Sequence, residues 1–285
     1  LIRHGGLLVL LLLFAASVVL AADLPFNLHG HAIQGGLLRG QAAPGARVWV
    51  AGAPVKVAPD GAFLIGFSRT APSSVLIEVA APGAPRAAHI LTVGQRDYKV
   101  ETIDGLPDSQ VSPGPVALER IARESAAIKT ARLRASDTPL FTGSFQWPLT
   151  GTLTGIYGSQ RVLNGAPRSP HLGVDIAAPY GTPMLAPADA VVALVHDDMF
   201  FTGKTLILDH GHGLTSVYAH MSAIVVTEGQ SVVAGQVIAA VGQSGRATGP
   251  HLHWGVHLAG VGLDPALLAG AIGASSLKET PGLSP

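Results

Sequence analysis

Between residues 151 and 258 the chain shows no helical periodicity, and short runs of Val, Ile and Leu are cut every few residues by glycine. Apolar stretches this short, bounded by turn residues, are strands rather than helices. The 35 glycines and 21 prolines among 285 residues carry the same pattern over most of the chain. Residues 205–209, 215–220, 237–241 and 251–257 are the candidate strands of the C-terminal half. Nearer the N-terminus, residues 46–57 alternate partially, Asp60-Gly61 is a turn signal, and 63–67, 75–79 and 89–93 read as further strands. These predict a small sandwich or half-barrel. A single helix is predicted over 116–135, where helix formers dominate and Leu118, Ile121, Ser125, Ile128 and Leu133 mark one face.

The expected organisation is a signal segment at 1–22, a small N-terminal β domain at 23–104, and a linker with its connecting helix at 105–142. A β domain at 143–270 and a C-terminal tail at 271–285 complete it. Residues 7–20 carry no charge, follow Arg3 and His4, and precede the small residues Ala21 and Ala22. A spanning helix needs about 20 apolar residues and a signal core roughly 7–15. The segment therefore reads as a cleaved export signal, with an uncleaved anchor as the alternative, and the mature protein is expected to have no stable membrane span. The 18 basic residues balance 18 acidic ones, which argues against a nucleic-acid partner. Without cysteine there is neither a disulfide nor a thiolate metal site.

Eight of the 12 histidines fall between His171 and His257. Two patterns stand out, His171-Leu-Gly-Val-Asp175 and His251-Leu-His253. Alternate side chains of a strand share a face, so His251 and His253 point into one space. His171 and Asp175, four apart, share a face in either a helix or a strand. Two imidazoles and one carboxylate form the three-ligand set of a catalytic zinc ion that keeps one position for water. The remaining positive charge lowers the pKa of that water toward about 7.

The stretches GlyIleTyrGlySer (155–159), AsnGlyAlaProArgSerProHisLeuGlyValAsp (164–175) and AlaAlaProTyrGlyThrPro (177–183) continue into AspHisGlyHisGlyLeu (209–214), TyrAlaHisMet (218–221) and GlyArgAlaThrGlyProHisLeuHisTrp (245–254). Together they resemble the M23 peptidases, the lysostaphin- and LytM-type peptidoglycan endopeptidases. The resemblance runs from about residue 145 to 264. It implies a mainly β chain whose C-terminal domain is a duplicated-hybrid-motif β-sandwich, with a single Zn²⁺ held by His171, Asp175 and His253. It implies His220 and His251 as catalytic residues and leaves open which is the general base. Tyr157, Asn164 and Arg168, in the family-like lead-in, are candidates to line the substrate groove. His196, His210, His212 and His257 are expected to satisfy backbone groups or face solvent, and His29 and His31 to lie on the surface.

The function expected on this basis is zinc-dependent hydrolysis of peptide cross-links in bacterial peptidoglycan, at the D-alanyl–diaminopimelate bond. Its partners are the stem peptides, and its location the periplasm, with secretion or anchoring as alternatives. A non-catalytic wall-binding regulator of a partner amidase is the competing reading. Nothing in the sequence sets the oligomeric state.

Overall fold

A computed structural model describes residues 26–134, 136–143 and 145–272. The expected signal segment and residues 273–285 of the expected tail lie outside the described residues. The fold is mainly β. Its first part runs β1 (Phe26–Gly30), β2 (Leu37–Ala42), β3 (Arg47–Val50), β4 (Ala53–Val55), β5 (Ala62–Gly66), β6 (Ser74–Ala80), β7 (Ala87–Thr92) and β8 (Val100–Ile103). Two helices follow, α1 (Asp108–Val111) and α2 (Pro115–Arg132). Then come β9 (Thr152–Gly155), β10 (Gln160–Leu163), β11 (Ala166–Pro167), β12 (Val174–Ala177), β13 (Pro183–Leu185), β14 (Ala190–Met199) and β15 (Gly203–Asp209). The chain continues through β16 (Leu214–Ile224), β17 (Ser231–Val232), β18 (Val237–Val241), β19 (His251–Leu258), β20 (Val261–Leu263) and α3 (Pro265–Ala269). Among the described residues no helix is long and apolar enough to cross a membrane.

The N-terminal strands form a sheet β1-β2-β5 and a sheet β4-β3-β6-β7, packed around Phe63, Ile77, Val48 and Val79. Strand alternation buries the first sheet on both faces. Leu38, Phe63 and Ile65 point into this small core, while Leu37 and Leu64 point the other way into the large core of the C-terminal half. Arg96 pairs with Asp264 at 2.8 Å, and Arg69 donates to the carbonyl of Gly158 at 2.6 Å. The last N-terminal strand, β8, pairs in parallel with β10, placing Glu101 beside Arg161.

The C-terminal half is built on a large sheet in the order β17-β14-β15-β16-β19-β12-β9, with β18 bridging β13 and β16. Its strands also alternate between two buried environments. Val192, Leu206, Leu208, Tyr218, Leu252 and Trp254 enter the large core. Ala193, Ile207 and Val217 face the opposite way and meet Ile128 and Ala131 of α2.

This contact corrects the predicted helix face. Leu118, Ser125 and Leu133 are exposed, and the covered positions are Ala117, Arg120, Ile121, Glu124, Ala127, Ile128, Ala131 and Arg132. These recur at the helical period, and three of them are alanines. The small side chains let the helix approach the sheet closely, so bulk was a poor guide to the packed face. The helix also ends at Arg132.

Candidate metal centre

Register brings the centre together. In the β12–β19 pair, Asp175 stands directly opposite His253, and Ala177 opposite His251. Because Val174, Ile176, Leu252 and Trp254 occupy the large core, Asp175, His251 and His253 must emerge on the other face, the one that α2 covers farther along. His171 arrives from the turn before β12, held by backbone bonds between its amide and Ser159 and between Gly158 and its carbonyl.

His171 Nε2 lies 2.9 Å from His253 Nδ1 and 3.1 Å from Asp175 Oδ1, and His253 Nδ1 lies 2.8 Å from the same oxygen. His171 uses its Nδ1–H on the carbonyl of Ile156 at 3.2 Å, so Nε2 presents a lone pair inward. In this tautomer only the His253 Nδ1 proton separates three electron-rich atoms. A cation in its place satisfies all three, and the donor set of two imidazoles and one carboxylate suits zinc. Burial pushes the Asp175 carboxyl up, but its interactions with the His171 and His253 rings overcome that and hold it well below the ordinary carboxylate range. Burial lowers His253 to about 4, against the pull of Asp175.

Two close approaches make room for this cluster. A Cβ on Gly155 would stand 2.5 Å from Asp175 Oδ2 and 3.0 Å from His171 Cε1. One on Gly173 would stand 2.8 Å from His253 Cε1. Arg161 donates to Asp175 Oδ2 at 2.6 Å and also pairs with Glu101 at 3.3 Å, fixing the outer oxygen of the carboxylate.

The structure brings His220 to the same site by an irregularity in β16. Between the pairs Lys204↔Met221 and Leu206↔Tyr218, β16 contains one more residue than β15. This bulge puts His220 in the left-handed region at φ 66°. Regular alternation would point His220 into the core with Tyr218; the extra residue turns it out beside His251, with ring centroids 4.6 Å apart. His220 donates its Nδ1–H to the carbonyl of Ser244 at 2.8 Å, and His251 donates its own to Gly249 at 2.9 Å. In both rings Nε2 is then the basic nitrogen. Burial, reinforced by His251, lowers His220 to about 3, so it is neutral at physiological pH.

Tyr157 and Asn164 are not brought to the site. Tyr157 is buried and donates its hydroxyl to the carbonyl of Gly262 at 2.8 Å, which makes it a packing residue rather than a groove residue. Asn164 is exposed, at φ 46°, and its amide clamps both backbone groups of Leu106. Arg168 does line a cleft next to His171. His210 bonds to Asp189 and Ser216 and His212 to Asp137, while His29 and His31 are exposed. Sequence reading missed Arg161 and Arg246, both in the clefts flanking the centre; Arg246 sits within a family-like stretch that could have singled it out.

Residues 169–265 match Peptidase family M23. A crystal structure assigned to peptidase M23 from Pseudomonas aeruginosa superposes with a TM-score of 0.65 at 33% identity, covering 84% of this chain and 96% of that one. The DD-carboxypeptidase/endopeptidase Mpg of Neisseria meningitidis is 40% identical over 99 residues, 35% of this chain and 23% of that protein. The peptidoglycan DD-endopeptidase ShyA of Vibrio cholerae is 41% identical over 86 residues, 30% and 20% respectively. The chain thus spans about a fifth of the length of these curated relatives. The chain belongs to peptidase family M23.

Proposed function

We propose that the chain is a zinc-dependent endopeptidase that hydrolyses peptide cross-links of bacterial peptidoglycan, at the D-alanyl–diaminopimelate bond. The observation that carries this reading is the meeting of His171 Nε2, His253 Nδ1 and Asp175 Oδ1 within 3.1 Å of one another, beside the paired rings of His220 and His251. The similarity to the DD-carboxypeptidase/endopeptidase Mpg and the peptidoglycan DD-endopeptidase ShyA supports the substrate class. The export reading of residues 1–22 supports a periplasmic location.

His171, Asp175 and His253 would hold the metal, with Arg161 orienting the carboxylate. When bound, zinc supplies Lewis acidity toward an amide carbonyl and toward water. The chain's own contribution is proton handling. His220 and His251 carry the free Nε2 atoms; the ring whose Nε2 is unprotonated takes the proton of the attacking water, while the other, with a proton on Nε2, donates a hydrogen bond to the developing oxyanion. Their Nδ1–H bonds to Ser244 and Gly249 keep the rings from turning that nitrogen away. A cleft of about 330 Å³ opens over Thr154, Asp175, His220 and His251 and gives an extended peptide access to the centre.

Metal analysis of the purified chain, then incubation with cross-linked muropeptides with and without chelator, tests the reading. About one zinc per chain and chelator-sensitive release of uncross-linked products are expected. A chain that binds zinc and leaves the cross-links intact would point to the regulator reading instead.

A further inference from the structure

On the α2 side of the centre lies a second cleft, of about 460 Å³, that reaches His171 and His253. Its polar lining is strongly one-sided. Arg161, Arg168 and Arg246 all enter it, and among the described residues no Asp or Glu lines it. Leu118, Ile121 and Phe201 supply apolar wall, and the Arg246 guanidinium lies 4.3 Å from the centre of the Phe201 ring.

The three arginines are not equivalent. Arg161 is committed to Asp175 and Glu101. Among the described residues, Arg168 and Arg246 are met by backbone carbonyls and by no carboxylate: Arg168 donates to Val111 at 2.6 Å and Arg246 to Gln110 at 3.1 Å. Both carbonyls come from α1, so one short turn aims two guanidiniums at the same space while using a single N–H of each. A guanidinium has five N–H donors in a planar fork that matches a carboxylate. Burial, with the neighbouring charges of Arg161 and Arg168, lowers Arg246 from its ordinary value, and among the described residues neither Arg168 nor Arg246 has a carboxylate partner to offset its charge. An anion in the cleft would do so and use the idle donors.

We infer that this cleft binds a free carboxylate of the substrate peptide, close in sequence to the amide that is cut, and that Arg168 and Arg246 determine that specificity. The inference rests on the peptidase reading and deepens it. It selects stem peptides whose acidic group is left as the free acid over those in which it is capped as a carboxamide. Leu118, Ile121 and Phe201 receive the aliphatic part of the same residue.

The test uses the full chain and two synthetic cross-linked stem peptides that differ only in acid against carboxamide beside the scissile bond. Binding is measured calorimetrically on zinc-free protein, so it does not depend on turnover. The acid is expected to bind about 10- to 100-fold tighter. Arg168→Gln with Arg246→Gln should remove that preference, lowering affinity for the acid and leaving the amide unchanged. Arg168→Lys, which keeps the charge and loses the fork, should keep part of it, and melting curves check that α1 stays in place. With zinc bound, the loss should fall on KM more than on kcat. Equal affinity for acid and amide in the parent chain, or a preference that survives in the double Gln variant, overturns the inference. A clear acid preference in binding without hydrolysis by the zinc-loaded chain supports the cleft assignment and sinks the peptidase reading alone.

Discussion

Gly155→Ala adds one methyl group at the point where the backbone of β9 passes closest to the candidate metal ligands. The new Cβ would lie 2.5 Å from Asp175 Oδ2 and 2.9 Å from its Cγ, roughly 0.9 Å short of where ordinary contact begins. The carboxylate has little room to yield, since its oxygens are held at 2.6 Å by Arg161 and 2.8 Å by His253. The strain of such overpacking is about 1–3 kcal/mol, a fall in Tm of several degrees for a chain of this size. The larger effect should be on the metal. A ligand set must hold its geometry to about 0.5 Å, and shifting the carboxylate by that much should cost about 10- to 100-fold in zinc affinity. Competition with a chelating indicator measures that affinity. Gly114→Ala, whose Cβ would meet nothing within 4 Å, is the matched control. If Gly155→Ala bound zinc as tightly as the control while remaining folded, the carboxylate would not be a ligand and the three-residue centre would be wrong.

His220→Ala should leave zinc stoichiometry at one and reduce kcat by about 10²–10⁴-fold, as expected for loss of a proton-transfer group; loss of zinc instead would make His220 a ligand. Tyr157→Phe removes the hydroxyl donated to Gly262 and should cost about 1–3 kcal/mol by urea unfolding, with kcat/KM unchanged once folded; a selective fall in KM-dependent binding would restore Tyr157 to the groove. Burial lowers His210 to about 4, below its unfolded value, so the folded state resists protonation there. Its contribution is complete above about pH 6.5 and is lost as pH falls toward 4, at up to about 1.4 kcal/mol per unit. The urea midpoint of the zinc-free chain should therefore drop between about pH 7 and pH 5, and His210→Asn should flatten that drop; an unchanged slope would mean another group controls it.

The His171/Asp175 and His251/His253 patterns were readable because each is local, and a strand period of two is enough to put its members on one face. That the two patterns meet depends on Asp175 standing opposite His253, a register set by the β12–β19 pairing, for which local spacing carries no information. The position of His220 was accessible only through the resemblance, since alternation over 215–220 sends it into the core and only the bulge reverses that. Arg161 and Arg246 are single arginines in turn-rich stretches, without periodicity to mark them. The strand at 237–241 coincides with β18, but the face of α2 was misread because alanines, not the bulky residues, make its contact.

The pairing of β8 with β10 has a consequence for anyone who would cut this protein in two. A fragment beginning near residue 142 would contain every histidine of the centre, yet it would lack Glu101, the partner that helps anchor Arg161, and the α1 carbonyls that steer Arg168 and Arg246. It would also leave the backbone of β10 as a raw strand margin, inviting another chain to dock there. Such a fragment would be a different machine, with a frayed mouth, and its behaviour would say little about what the preceding segment does in the intact molecule.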